Sequence, residues 1–236
     1  MSDSAASSGK FDASRAGEYE IQSRIALAGY EACHDLAACM LAAALGHGGA
    51  RRILVVGIGG TGAEVSALAP LEPAWQFTGV DPSEPMLALA RARLTARGLI
   101  DRVDLHMSDL DSLPMSEPFD GAMMLGVLHH VPGDHAKSAL LKSIAARLPA
   151  GAPLILAGNR FAYSQRPLLL KAWGERWRMH GASDAEIDAK LGKILQGADP
   201  PHSEAAVFDL LAEAGFERAE GFFSSLFWGA WIAFRR

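Results

Sequence analysis

The chain has 236 residues, half of them hydrophobic, with 22 basic against 27 acidic side chains and a formal charge of −5. That length and apolar content suit one compact domain with additions, and an acidic balance without any Lys/Arg run leaves no electrostatic footprint for a nucleic-acid partner. The longest apolar runs, around Cys39 and from Ile53, fall far short of the roughly 20 residues a bilayer demands, so no membrane partner is expected.

The polar start MSDSAASSGKFD lacks the succession of basic, apolar and small residues that marks secretion, and a cytoplasmic location is expected. Cys33 and Cys39 fall six apart on one predicted helix and point in different directions, which predicts two buried small hydrophobes and neither a disulfide nor a metal pair. From about Arg15 to Leu45 the apolar residues keep helical spacing, and Gly46, Gly48 and Gly49 end the segment. The β-branched run Ile53–Val56 then meets Gly57 and passes into a helix near Gly62: strand, tight turn, helix. The unit repeats as WQFTGV before Asp81, a helix capped by Ser83, and VDLHM before Asp109. FDGAMML, the helix AKSALLKSIAARL and PLILAG ending at Asn159 continue the alternation.

Strands alternating with helices specify a doubly wound, parallel α/β sheet. Between about Phe161 and His202 the alternation gives way to two helices, the second opening on a capping box of Ser183 and Glu186, which predicts a helical cap. A final helix leads into FERAEGFFSSL and GAWIAFR, whose short connection permits only an antiparallel pair. The expected organisation is a helical lid over 1–49, a Rossmann-like core over 50–160, a helical insert over 161–202, and a closing helix with its hairpin over 203–236.

In an open α/β sheet the ligand crevice lies beyond the carboxyl ends of the strands. Gly57, Gly59 and Gly62 stand after the first strand, where missing Cβ atoms let main-chain N–H groups approach a ligand. Asp81, followed by Pro82, ends the second strand, where one carboxylate can accept both hydroxyls of a ribose. Ser108 and Asp109 follow the third, suited to an adenine amino group with Leu110 against the ring. Leu125, Gly126, His129 and His130 follow the fourth, offering a main-chain carbonyl and an imidazole able to move a proton near neutral pH. Nicotinamide dinucleotides and S-adenosylmethionine both fit such a nucleoside site.

The segments VDPSEPML, SDL, LGVLHHV and the closing FERAEGFFSSLFWGAWIAFRR, in that order, resemble class I S-adenosylmethionine-dependent methyltransferases. The resemblance covers Arg51 to Arg236. It implies a seven-stranded sheet with its last strand antiparallel, S-adenosylmethionine as cofactor, and an acceptor under a helical lid. It also implies that Gly57, Gly59 and Gly62 approach the methionine and ribose, Asp81 the ribose hydroxyls, Asp109 and Leu110 the adenine, and Leu125 the methionine amine. The chain departs from the family in having Val55 where an acid usually precedes the first glycine, which leaves open whether Glu64 compensates. A narrower likeness is to the carboxy-S-adenosylmethionine synthases. That group has an arginine on the insert helix at a position aligning with Leu191, so this likeness implies shared architecture without carboxyl transfer.

The expected function is methyl transfer to an O- or N-acceptor on a small molecule, by a monomer or homodimer. Intramolecular cyclisation of S-adenosylmethionine with release of methylthioadenosine, and a catalytically silent binding protein, are the alternatives. Tyr30 is the expected aromatic face for the sulfonium, with Tyr19, Phe161, Tyr163 and Trp228 as further wall candidates. His129, His130 and Asn159 are the expected polar groups at the chemistry. Arg24 and Arg160 are candidates to hold a carboxylate.

Overall fold

The structure, a computed structural model, describes residues 13–115 and 117–236, with side chains from Glu20 onward; the polar start and the Tyr19 side chain lie outside the described residues. Five parallel strands, β1 (Arg52–Val56), β2 (Gln76–Asp81), β3 (Val103–Met107), β4 (Gly121–Leu125) and β5 (Pro153–Asn159), precede the hairpin β6 (Phe216–Ser225) and β7 (Trp228–Arg235). The sheet order is β3-β2-β1-β4-β5-β7-β6, so the last strand lies antiparallel between β5 and β6. Its register sets Asn159 opposite Trp228.

The central strands are buried on both faces because helices cover both, and their side chains alternate between two cores. Ile53, Val55, Met123 and Ile155 face one core, together with Leu41 of α2 (Tyr30–Leu45). Leu54, Val56, Met124 and Leu156 face the other, against α5 (Gly133–Ala145) and α8 (Glu204–Glu213). Each such side chain contributes about 1.5–3 kcal/mol by burial. The remaining crossovers are α3 (Ala63–Leu68) and α4 (Glu84–Ala96).

The segment of helical spacing over Arg15–Leu45 folds as two helices: α1 (Ala13–Ala26) meets α2 at a bend of 84°. Gly29 makes the bend, with a left-handed φ of 83° at the N-terminus of α2. Apolar spacing runs through the bend because both helices bury a stripe, so periodicity alone does not reveal it. By length and composition this bent pair could pass as a broken membrane span, but no single helix among the described residues is long and apolar enough to cross a bilayer.

The insert folds as α6 (Pro167–Met179) and α7 (Asp184–Gly197), with the expected Ser183–Glu186 capping box formed. It closes on α1 through that helix's unpaired C-terminal carbonyls. Trp173 Nε1 donates to the Ala26 carbonyl at 2.7 Å, and the Arg176 guanidinium donates to those of Ile25 and Arg24. Trp177 Nε1 and Lys190 Nζ both donate to Gln22 Oε1, at 3.2 and 3.0 Å. Insert and N-terminal helices therefore form one cover over the carboxyl edge of the sheet. Leu191, with Ile187 and Ile194 of α7, packs into that cover beside Gly174.

Candidate active site

Beneath this cover lies a cavity of about 690 Å³, lined at one end by Gly57, Gly59, Thr61 and Glu64 and at the other by His129, His130, Asn159 and Tyr163. Gly57 and Gly59 hold φ of 68° and 57°, and a Cβ on Gly57 would stand 2.2 Å from Val127 Cγ2, so both conformation and space require glycine there. The turn is tied to the second strand: the N–H groups of Gly57 and Ile58 donate to the Val80 carbonyl at 2.8 and 3.2 Å.

Asp81 is buried behind that turn, its Oδ2 accepting from the Gly59 N–H and its Oδ1 from the Ser83 N–H, both at 2.9 Å. Burial pushes its carboxyl above the usual range, and the two main-chain N–H groups pull it back. Ser83 does occupy the N-cap of α4, as expected, but its side chain makes no capping hydrogen bond.

Glu64, in the first turn of α3, is buried with Oε2 unpartnered. Burial pushes its carboxyl up to about 8, its own main-chain N–H opposing the rise and Asp81 adding to it.

At the far end His129 is buried, and its Nδ1 accepts the Asn159 N–H at 3.3 Å, leaving the proton on Nε2. Burial holds this imidazole well below the usual histidine range, and His130 and Lys137 push the same way. His129 is thus a neutral, fixed ring lying edge-on to Trp228 at 5.3 Å, whereas His130 is exposed at the cavity rim. Asn159 Nδ2 donates to Tyr163 Oη at 2.7 Å, and Asn159 Oδ1 and Trp228 Nε1 remain unpartnered. Burial pushes the Tyr163 hydroxyl up to about 12, which keeps it protonated.

Tyr30 opens α2 and lines the cavity, its ring 4.9 Å beneath the Arg24 guanidinium and 4.2 Å from the His34 ring. One aromatic face therefore already carries a cation. Arg24 is further engaged by Glu20 and Glu31, and Arg160 by Glu204 at 2.7 Å and Ser224 at 2.6 Å. Neither guanidinium lines the cavity.

Of the residues singled out from sequence, Tyr30, Gly57, Gly59, Leu125, Gly126, His129, His130 and Asn159 line one cavity. Asp81 meets it through Gly59, Gly62 packs on Leu94, Pro82 and Asp109 are exposed, and Leu110 is buried in the core of the opposite face. His34 lines the cavity without having been singled out. Its position four residues after Tyr30 was the available signal, since that spacing puts both on one helical face. No group of three or more possible metal ligands occurs among the described residues.

Residues 56–154 match the family model described as a methyltransferase domain. The 3-hydroxy-5-methyl-1-naphthoate 3-O-methyltransferase of Streptomyces sahachiroi is 32% identical over 122 residues, covering 52% of this chain and 34% of that protein. An uncharacterized protein of Synechococcus is 37% identical over 101 residues, 41% of this chain and 24% of its own length. Among solved structures, an O-methyltransferase family 2 protein of Planctomyces limnophilus in complex with apigenin superposes with a TM-score of 0.60 at 18% identity, covering 79% of this chain and 50% of that one. The mitomycin 7-O-methyltransferase does so with 0.58 at 22% identity, covering 85% and 53%. The chain thus spans about half the length of these structural neighbours or less of the curated relatives, and the neighbours share its fold. Residues 56–154 thus match a methyltransferase domain, and the strand order with its antiparallel last strand is the fold that these methyltransferase neighbours share.

Proposed function

We propose that this protein binds S-adenosylmethionine at the glycine-turn end of the cavity and methylates an oxygen or nitrogen of a small, largely apolar molecule held at the other end. The observation that carries this reading is the cavity that joins Gly57, Gly59 and Glu64 to Asn159 and His130. The unpartnered Glu64 Oε2 and Asn159 Oδ1 supply a polar group at each end that a ligand would satisfy. Gly57 and Gly59 let the main chain approach the cofactor, Asp81 behind their turn holds the ribose hydroxyls, and Leu125 and Gly126 floor the methionine part. Bound there, S-adenosylmethionine supplies an electrophilic methyl group for in-line displacement.

The chain's own residues exclude water, orient the acceptor and handle its proton. Trp173, Trp177, Trp228 and Tyr163 line the acceptor end and suit a flat apolar molecule. Asn159, its amide fixed by Tyr163, presents Oδ1 to an acceptor O–H or N–H. His130 is the imidazole able to take the proton, because His129 is neutral with Nδ1 already occupied. Cys33 is buried as expected, whereas Cys39, on the outward face of α2, is exposed; both thiols are free and suit a reducing compartment, and the cytoplasm is the proposed location.

The test is incubation with S-adenosylmethionine, with and without a panel of hydroxy- and amino-aromatic acceptors, followed by mass analysis. Acceptor-dependent S-adenosylhomocysteine supports methyl transfer. Methylthioadenosine formed without acceptor would replace it by cyclisation, and no turnover with any of the panel would favour a silent binding fold.

A further inference from the structure

Glu64 is 4% exposed, yet it lines the cavity beside Gly57, Gly59 and Thr61. Its Oε2 has no partner, and the groups that act on its carboxyl are Asp81 and its own main-chain N–H, neither of them a cation. Asp81 is placed similarly: its partners are the N–H groups of Gly59 and Ser83. From α2 the cavity receives the Cys33 thiol, which above all burial and then the Glu64 charge push up to about 12, and the His34 imidazole, which burial holds below its usual range, so neither is a cation. Burial disfavours the charged form of both acids and Asp81 adds to that on Glu64, which leaves a site whose natural complement is positive.

We propose that Glu64 is the anionic partner of a primary ammonium group on the ligand of this cavity, which in the reading above, on which this rests, is the amino group of the methionine part. A hydroxyl would leave Glu64 as a neutral acid, whereas an ammonium drives the carboxyl to ionise and gives Oε2 a charged donor. The proton that Glu64 then loses passes to the solvent. Near neutral pH the free protein holds that proton because its carboxyl titrates at about 8. Glu64 thereby reads the amino-acid end of the ligand and ignores the nucleoside end.

Calorimetry in two buffers of different ionisation enthalpy at neutral pH tests this with two probes. S-adenosylhomocysteine carries the amino group, while methylthioadenosine keeps the nucleoside and thioether without it. The expected result is release of about one proton with the first and none with the second. Glu64→Gln should weaken S-adenosylhomocysteine about tenfold or more and leave methylthioadenosine within about twofold. The proton count on the unaltered protein decides the matter even if the variant folds poorly. Equal proton release with both probes, or equal weakening of both by Glu64→Gln, overturns the assignment of Glu64 while the cofactor reading stands. If neither probe binds the unaltered protein, the cofactor reading falls and takes this inference with it.

Discussion

The Tyr30 hydroxyl lies 3.2 Å from the Thr61 hydroxyl, so the first residue of α2 is tied to the glycine turn across the cavity. Because Gly29 bends the chain just before it, this contact holds the lid at a fixed angle to the sheet. Tyr30→Phe removes one partly buried hydrogen bond, a loss of about 0.5–1.5 kcal/mol of stability. Tyr30→Ala empties a buried ring position and should cost about 3 kcal/mol or more. With Arg24 already over the ring, Tyr30→Ala is expected to weaken S-adenosylmethionine and S-adenosylhomocysteine alike. A selective loss of the charged ligand in calorimetry would instead put the sulfonium on this ring.

Asp81 serves the turn before it serves any ligand, since its two oxygens hold the Gly59 and Ser83 N–H groups. Asp81→Ala leaves both donors without an acceptor, which costs about 1–3 kcal/mol for each that stays dry. It is also expected to lower affinity for S-adenosylhomocysteine and methylthioadenosine equally, because both carry the ribose. Unchanged affinity in a folded variant would leave Asp81 as a brace of the turn alone.

The strands were legible because each is a short apolar run stopped by a glycine, an acid or an amide, and the hairpin because its connection is too short to cross over. The crevice residues followed from the rule that ligands sit beyond strand ends, which is why Gly57, Gly59, Gly126 and Asn159 share one cavity. What sequence hides is direction. Asp109 and Leu110 are neighbours, yet one is exposed and the other buried beneath the sheet. Arg160 directly follows Asn159, but its guanidinium turns to Glu204 on α8. Glu64 reads as an ordinary acid in a first helical turn; the resemblance leaves open whether it replaces the acid missing at Val55, and its burial without a cation is what the sequence could not show.

Lys137 is fully buried on α5, and its Nζ donates to Asp199 Oδ2 at 2.8 Å, an oxygen that also accepts the Gly133 N–H. The Asp199 N–H donates to the His129 carbonyl at 2.8 Å, so this pair braces the turn that carries both histidines. Asp199→Ala leaves the buried ammonium with Asp134 alone, at 4.0 Å, and should destabilise by about 2 kcal/mol or more, whereas Lys137→Met keeps the volume and should cost clearly less. Chemical denaturation of the two variants checks the order. Equal losses would mean that the buried lysine is hydrated once its partner is gone.

Glu64 and His129 should tilt the stability of the ligand-free protein in opposite directions with pH. For Glu64 the folded carboxyl titrates at about 8 against 4.5 for an ordinary one, so between those values the folded chain keeps a proton that the unfolded chain has lost. The folded state then binds more protons, and stability falls as pH rises through that window. His129 is the reverse case. Its buried ring refuses a proton that the unfolded histidine accepts below its ordinary 6.5, so stability falls as pH drops through and below that value. Glu64→Gln removes the first slope and His129→Gln the second. In melting curves from about pH 5 to about pH 9, the Glu64→Gln protein should gain on the unaltered one steadily as pH rises. The His129→Gln protein, whatever its fixed packing loss, should close the gap towards the acid end. A gap for Glu64→Gln that does not change with pH would mean that the carboxyl is already ionised in the free protein, and would remove the proton release expected on ligand binding as well.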